Sequence, residues 1–400
     1  MNLIPFSRQY LRLNESLPFG IRDASGRLLL AAGSKVDRSD MLAELQANDL
    51  YADEFESSEW RKRLASAMDS AIRQNASLRK IADARPEGEA EKPKGRELGF
   101  GESWGELALV LESALRDLRS ETTWMARLMA VRDQAQRLVD RRPDASLYHL
   151  IHTAGASTEH YSANHSLLCM VVSRGAAGTL GLDDELTCSL VHAALTMNVA
   201  MRRLQDLLAA GNPHITAEMR QEIDTHAERS ARMLENAGVA DAAWVEVVRH
   251  HHDDRQAATP WAQLNPTQRA SRLLRRVDVF TAKLSRRSNR TPMSPVLAAR
   301  QACLGADGRP DEIGAALLKT VGMYPPGSYV ELASGEIGIV IARGRQANLP
   351  VVAALVSASG SALHVPAVRE TVDKRHAVKC PVPMERVKVR APHEKLMQLR

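Results

Sequence analysis

Apolar residues recur at helical spacing along most of this chain. From Trp104 to about Arg141, Leu107, Val110, Leu111, Ala114, Leu115, Leu118, Met125, Leu128, Met129, Leu138 and Val139 supply most of one stripe. No proline interrupts it before Pro143, so the pattern predicts one long helix that buries its stripe against a partner. The same period continues through Glu159–Gly175, Asp184–Ala209, Ala217–Gly238, Ala242–His251, Pro266–Leu284 and Pro295–Leu304. Strand signals are nearly absent between residues 145 and 320, which predicts an all-α core. The pattern then changes to β-rich runs, Ser328–Ala333, Ile337–Ala342 and Val351–Ser357, separated by Gly and Asn, which predict a short meander. At the other end, the turn signal Asp23–Gly26 precedes an apolar run, Leu28–Ala32, and a helix through Met41, Leu42 and Leu45. Residues 57–83 read as helix, and 84–101, with Pro86 and Pro93, as a linker.

The predicted fold is therefore mainly α: a helical bundle with a small mixed N-terminal module and a short C-terminal β-meander. The expected divisions are 1–56 for the mixed module, 57–101 for helix and linker, 102–143 for the long helix, 144–325 for the bundle and 326–400 for the β-rich tail. A stripe of this length suits either a homodimer seam over Leu107–Val139 or cover within the chain by the helix at 57–83.

Composition narrows the function classes. At 44% hydrophobic and 25% charged, the chain is an ordinary globular protein. Its cysteines, Cys169, Cys188, Cys303 and Cys380, form no CxxC or short pairing, which argues against a disulfide scaffold or a cysteine zinc site. No apolar run approaches the roughly 18 residues of a membrane span. Met1–Tyr10 lacks the features of a secretory signal, so a cytoplasmic location is expected. The net charge is +5, but acids are interleaved with the arginines and aromatics are only 4%, which argues against nucleic-acid binding.

Histidines carry the chemistry. His165 falls on one predicted helix, His226 on a later one, His250-His251-His252-Asp253 closes a third and Asp278 lies on a fourth. Imidazoles and carboxylates gathered from separate helices are how a bundle builds a metal site. Tyr161-Ser-Ala-Asn-His165-Ser166, Gly181-Leu182 with Glu185, Ile215-Thr216-Ala217-Glu218 before His226, His251-His252-Asp253, Val277-Asp278-Val279-Phe280, and Tyr324-Pro325 with Gly327-Ser328 stand in one order along the chain. Together they resemble the HD-GYP branch of the HD-domain metal-dependent phosphohydrolases, whose active members hydrolyse cyclic di-GMP. The resemblance implies an HD-type helical bundle, cyclic di-GMP as partner, and metal ligation by His165, His226, His251, His252 and Asp278.

The departures from the pattern bear on activity. The positions matching the family's His-Asp pair are Met197 and Asn198, and its lysine position is Met201. No lysine occurs between Lys94 and Lys283, and the Gly-Tyr-Pro loop is absent after Asp253. A binuclear hydrolase holds its cations roughly 3.5–4 Å apart and needs an anionic bridge between them. Asn198 is neutral, and the Met197 thioether suits Mn²⁺ or Fe²⁺ poorly. The sequence thus implies a signalling protein that binds or scaffolds without catalytic residues, requiring no cofactor and holding at most one residual Mn or Fe ion. Arg286, Arg287 and Arg290 are candidate phosphate contacts. The alternative is an active phosphodiesterase with a rearranged site.

Overall fold

The computed structural model describes residues 3–399 except 25, 27, 37, 75, 78, 81–83, 85–97, 117, 119–122, 212–213, 254–258, 289–290, 306 and 390, and the side chains of 55 and 385. It divides into two compact units, Met1–Ser113 and Ala114–Arg400.

In the first unit, β1 (Leu3–Phe6), β2 (Ile21–Arg22), β3 (Leu28–Leu30) and β4 (Leu50–Asp53) form an antiparallel sheet in the order β1-β4-β2-β3. Helix α1 (Ser39–Ala47) joins β3 to β4, and α2 (Glu54–Arg73) follows β4 directly. The expected boundary at residue 56 cuts through the core of this unit. Trp60 of α2 stacks edge-on with Phe19 and Tyr10, at centroid distances of 5.5 and 5.4 Å, and Leu64 packs beside it. The helix expected over 57–83 begins three residues earlier and ends at Arg73. Most of the expected linker lies outside the described residues.

The single long helix expected over 102–143 is two: α3 (Phe100–Arg116) and α4 (Thr123–Arg141). Ser120 to Thr123 contribute no apolar position to the stripe, so periodicity alone could not mark a boundary there. Leu107, Leu111 and Leu115 of α3 and Leu128 and Leu138 of α4 are buried within one chain.

The bundle comprises α5 (Pro143–Ala156), α6 (Tyr161–Thr179), α7 (Asp184–Thr196), α8 (Arg202–Ala210), α9 (Ala217–Asn236), α10 (Ala242–His250), α11 (Pro266–Leu284), α12 (Pro295–Ala302) and α13 (Glu312–Val321). Pro143, read as a stop, is also the first residue of α5, where its missing N–H costs nothing. Side-chain caps start the helices locally: Asp183, Thr216 and Asp241 each accept from a backbone N–H three residues on, and Asn265 with Gln268 forms a capping box. Helix α6 is the central rod, packed against α5, α7, α8, α11 and α13. Its Gly175 admits α13 so closely that a Cβ would lie 2.6 Å from Thr320 Cγ2.

The helix expected over Asp184–Ala209 breaks where the family pair would stand. It ends at Thr196, Val199–Met201 forms a 3₁₀ turn, and Asn198 lies outside helical geometry at φ −105°, ψ 12°. The Ala200 N–H freed by the break donates to Ser230 Oγ of α9 at 3.1 Å. The tertiary partner compensates for the lost helical bond.

The C-terminal strands β5 (Tyr329–Leu332), β6 (Ile337–Ala342), β7 (Val351–Val356), β8 (Ala362–Glu370) and β9 (Val378–Pro381) form one antiparallel sheet, ordered β8-β7-β6-β5-β9. Sequence patterning found β5 to β7. It missed β8, an edge strand carrying Pro366 and mostly polar exposure, and β9, which ends in Pro381. Arg343 at the end of β6 donates to Asp144 of α5 at 2.5 Å, and a short helix α14 (His393–Met397) follows the sheet. Among the described residues, no helix is long and apolar enough to cross a membrane.

Candidate metal centre

Three helices and one helix end bring the sequence-selected residues together. His226 of α9 and His251, just past α10, face each other with Nε2 atoms 3.3 Å apart. Each has its other nitrogen engaged: His226 Nδ1 donates to the Ile223 carbonyl and His251 Nδ1 to the Val248 carbonyl, both at 2.6 Å. Both Nε2 atoms therefore present lone pairs. Burial is the main reason that both imidazoles titrate below the usual range, well below it for His251, where neighbouring His252 and His226 add to the effect. His252 closes the group, its ring centroid 4.2 Å from that of His251 and 4.9 Å from that of His226.

Asp278 of α11 lies between this group and His165 of α6. Its Oδ1 accepts from His165 Nε2 at 2.8 Å, and its Oδ2 is 3.8 Å from His252 Nε2. Burial opposes its ionisation, but the His165 hydrogen bond and the surrounding imidazoles hold the carboxyl well below its usual range. Burial likewise opposes protonation of His165, and the charges and hydrogen bonds of Cys169 and Asp278 outweigh it, raising the imidazole well above its ordinary value. Tyr161 stacks parallel on His165 at 5.9 Å, fixing the ring plane.

His165, His226, His252 and Asp278 line one cavity of about 360 Å³, which Met201, Arg275 and Arg287 also line. That lies at the lower end of ligand pockets, roughly 300–1,000 Å³. Of the arginines selected from sequence, Arg287 reaches this cavity, held over Tyr161 with Nη2 donating to Oη at 3.2 Å. Arg286 lines only a second cavity of about 690 Å³ beside the C-terminal sheet, which Arg287 also lines, and Arg290 is outside the described residues. Sequence reasoning missed Arg275. It is three residues before Asp278 and thus on the same face of α11, a spacing that could have identified it. It also missed Cys169, one turn after His165, whose Sγ is 3.5 Å from His165 Nε2.

His250 turns away, towards Glu246 and Asp253. His192 takes no part either, with Nε2 2.9 Å from Arg132 Nη1 and its ring against Trp244.

The donor set fits a divalent cation. Two ligands on a tetrahedral ion at about 2.05 Å lie about 3.3 Å apart, which matches the separation of the two opposed lone pairs. Without a cation or a proton between them, those lone pairs repel. Their Nδ1–H···O=C bonds are the outer support that metal-binding imidazoles carry. A two-cation arrangement bridged from α7 does not fit. Met197 is fully buried, and Asn198 is 3% exposed with neither amide atom hydrogen-bonded.

No family model matches the chain. It is 27% identical over 246 residues to the cyclic di-GMP phosphodiesterase PA4108 of Pseudomonas aeruginosa, a match covering 60% of this chain and 58% of that protein. The chain thus spans a little over half the length of this relative. The solved structure of Bd1817, a HDG"Y"P protein from Bdellovibrio bacteriovorus, aligns over 79% of this chain and 98% of that one, with a TM-score of 0.44 and 13% identity. A likeness that loose carries no residue correspondence. The ordered segments and this sequence relative make the chain similar to the HD-GYP proteins, with Met197 and Asn198 at the positions matching the family's defining pair.

Proposed function

We propose that this chain acts in the cyclic di-GMP network by binding the nucleotide without hydrolysing it. One observation carries the reading: the position that would supply a bridging carboxylate is Asn198, a buried amide with no partner. A neutral side chain cannot offset the repulsion between two close cations, so the arrangement for in-line attack on phosphorus is not assembled. Met201 on the cavity wall adds no charge where the resemblance places a lysine.

Binding chemistry is retained. His226, His251 and His252 would hold one divalent cation, which when bound supplies positive charge towards a phosphate. Arg287, oriented by Tyr161, adds a planar donor fork to the cavity lining, and Arg275 adds a second cation to it.

The test is a paired measurement on the full chain with added Mn²⁺, Fe²⁺ or Zn²⁺. Calorimetry should detect cyclic di-GMP binding, and chromatography should detect neither linear dinucleotide nor GMP. Metal-dependent turnover that disappears in a His251→Ala, His252→Ala double variant would overturn the reading.

A further inference from the structure

The metal reading above has a consequence for Cys169. We infer that His165, Cys169 and Asp278 form a second cation site beside the three histidines, one whose thiolate selects Zn²⁺ over Mn²⁺ and Fe²⁺. The inference rests on the reading of this cavity as a metal centre and adds to it a ligand and a metal preference.

Cys169 follows His165 by four residues on α6, so both side chains leave the same face of the rod. Asp278 meets them from α11. The three donor atoms lie within 4.8 Å of one another: Nε2 is 3.5 Å from Sγ and 2.8 Å from Oδ1. For a tetrahedral zinc ion with Zn–N near 2.05 Å and Zn–S near 2.3 Å, the N···S separation is about 3.5 Å. The carboxylate must open by about half an ångström from its hydrogen-bond distance to reach the corresponding N···O separation of about 3.3 Å. Asp278 has room for that movement, because its side chain keeps 14% exposure on the cavity.

Other roles for the three groups account for less. In a nucleophilic Cys-His-Asp triad, the acid and the nucleophile use opposite imidazole nitrogens. Here Cys169 and Asp278 share Nε2, while His165 Nδ1 faces Thr281 Oγ1 at 3.5 Å. A purely structural thiol would need only Thr281, whose Oγ1 lies 3.0 Å from Sγ and donates its own proton to the Val277 carbonyl. That would not explain why a carboxylate, an imidazole nitrogen and a sulfur converge. The convergence is the geometry of a cation site, and Thr281 then supports His165 from outside it.

Zinc binding displaces the proton that His165 Nε2 shares with Asp278 and releases the thiol proton of Cys169 to solvent, leaving a Zn–thiolate bond. Thiolate favours zinc over Mn²⁺, which prefers oxygen donors. The second oxygen of Asp278 stays 3.8 Å from His252 Nε2, so the new site adjoins the histidine trio without supplying the bridge missing at Asn198.

The full chain, stripped with chelator under reducing conditions, should be titrated with Co²⁺ as a spectroscopic stand-in for zinc. A near-ultraviolet sulfur-to-cobalt charge-transfer band is expected in the wild type and in a Cys188→Ser, Cys303→Ser, Cys380→Ser variant, and not in Cys169→Ser. Cys169→Ser should also weaken Zn²⁺ binding by at least the roughly 10–100-fold that loss of an outer-shell partner costs. Should that variant fail to fold, zinc-edge X-ray absorption of the wild type decides the matter. One sulfur near 2.3 Å is expected; a shell of nitrogen and oxygen alone overturns the inference. Co²⁺ bound without the band overturns the role of Cys169 and leaves the metal-bearing cavity standing, whereas failure to bind any cation overturns both. Absence of cyclic di-GMP turnover bears on neither.

Discussion

Asn198→Asp is the most informative single substitution in this protein. It places an acid in a side chain that is 3% exposed and has no hydrogen-bond partner for either terminal atom. The adjoining 3₁₀ turn is pinned to α9 by Ala200 and Ser230, one turn beyond His226, and ends at Met201 on the cavity wall. In metal-free protein the new carboxyl must stay protonated to remain buried. Holding it neutral at pH 7, about 3 units above the usual carboxyl value, costs about 4 kcal/mol at 1.36 kcal/mol per unit. The sign follows from its raised folded-state pKa. The unfolded state releases the proton first, so the destabilisation grows as pH rises from about 4 and vanishes below it. A cation beside the carboxylate reverses the effect: at a hundred times Kd, mass action returns about 2.7 kcal/mol. Thermal and denaturant unfolding should therefore show Asn198→Asp well below wild type in chelator at pH 7, close to it at pH 4, and partly restored by Mn²⁺ or Zn²⁺. Adding Met197→His should increase bound metal per chain, though affinity should remain roughly 10–100-fold short of a fully supported site. Turnover should stay negligible, because Met201 still stands at the lysine position. A variant as stable as wild type in chelator at pH 7, or one indifferent to metal, would refute this account of the position.

Three further outcomes are expected. His192 is held down to about 4 by burial and by Arg132; wild type should therefore lose about 3 kcal/mol as pH falls from about 6.5 to 4, where only the unfolded state gains the proton. His192→Gln should flatten that part of the stability curve, and parallel curves would count against the assignment. Gly314→Ala should lower the unfolding free energy by about 1–3 kcal/mol or more, because the added Cβ would stand 2.1 Å from the Cys303 carbonyl oxygen; an unchanged denaturant midpoint would be inconsistent with that packing. Arg287→Ala should weaken cyclic di-GMP binding by about 10–100-fold, the effect of losing a charged hydrogen bond of about 1.5–3 kcal/mol. Arg286→Ala should not, since Arg286 faces the other cavity, and equal losses in calorimetry would contradict the placement.

The sequence alone determined the local decisions and the family resemblance. The helix starts at Asp184, Ala242 and Pro266 were legible from periodicity, and in the structure each follows a residue, Asp183, Asp241 or Asn265, that caps a backbone N–H three residues on. The mainly α class and strands β5 to β7 were legible because burial on one face imposes a period. The histidines and Asp278 could be selected by residue type and order along the chain. Tertiary structure decided what depends on distant partners. It divided the expected long helix into α3 and α4, broke α7 after Thr196 with Ser230 satisfying the freed amide, and placed Pro366 in an edge strand that needs fewer hydrogen bonds. It also brought Arg287 but not its neighbour Arg286 to the histidine cavity, while both line the cavity beside the C-terminal sheet. Spacing rules set Cys169 aside because it has no partner cysteine nearby in the chain. Only the packing of α6 against α11 brings it to His165 and Asp278, since metal ligands are chosen by distance in space and not by separation in sequence.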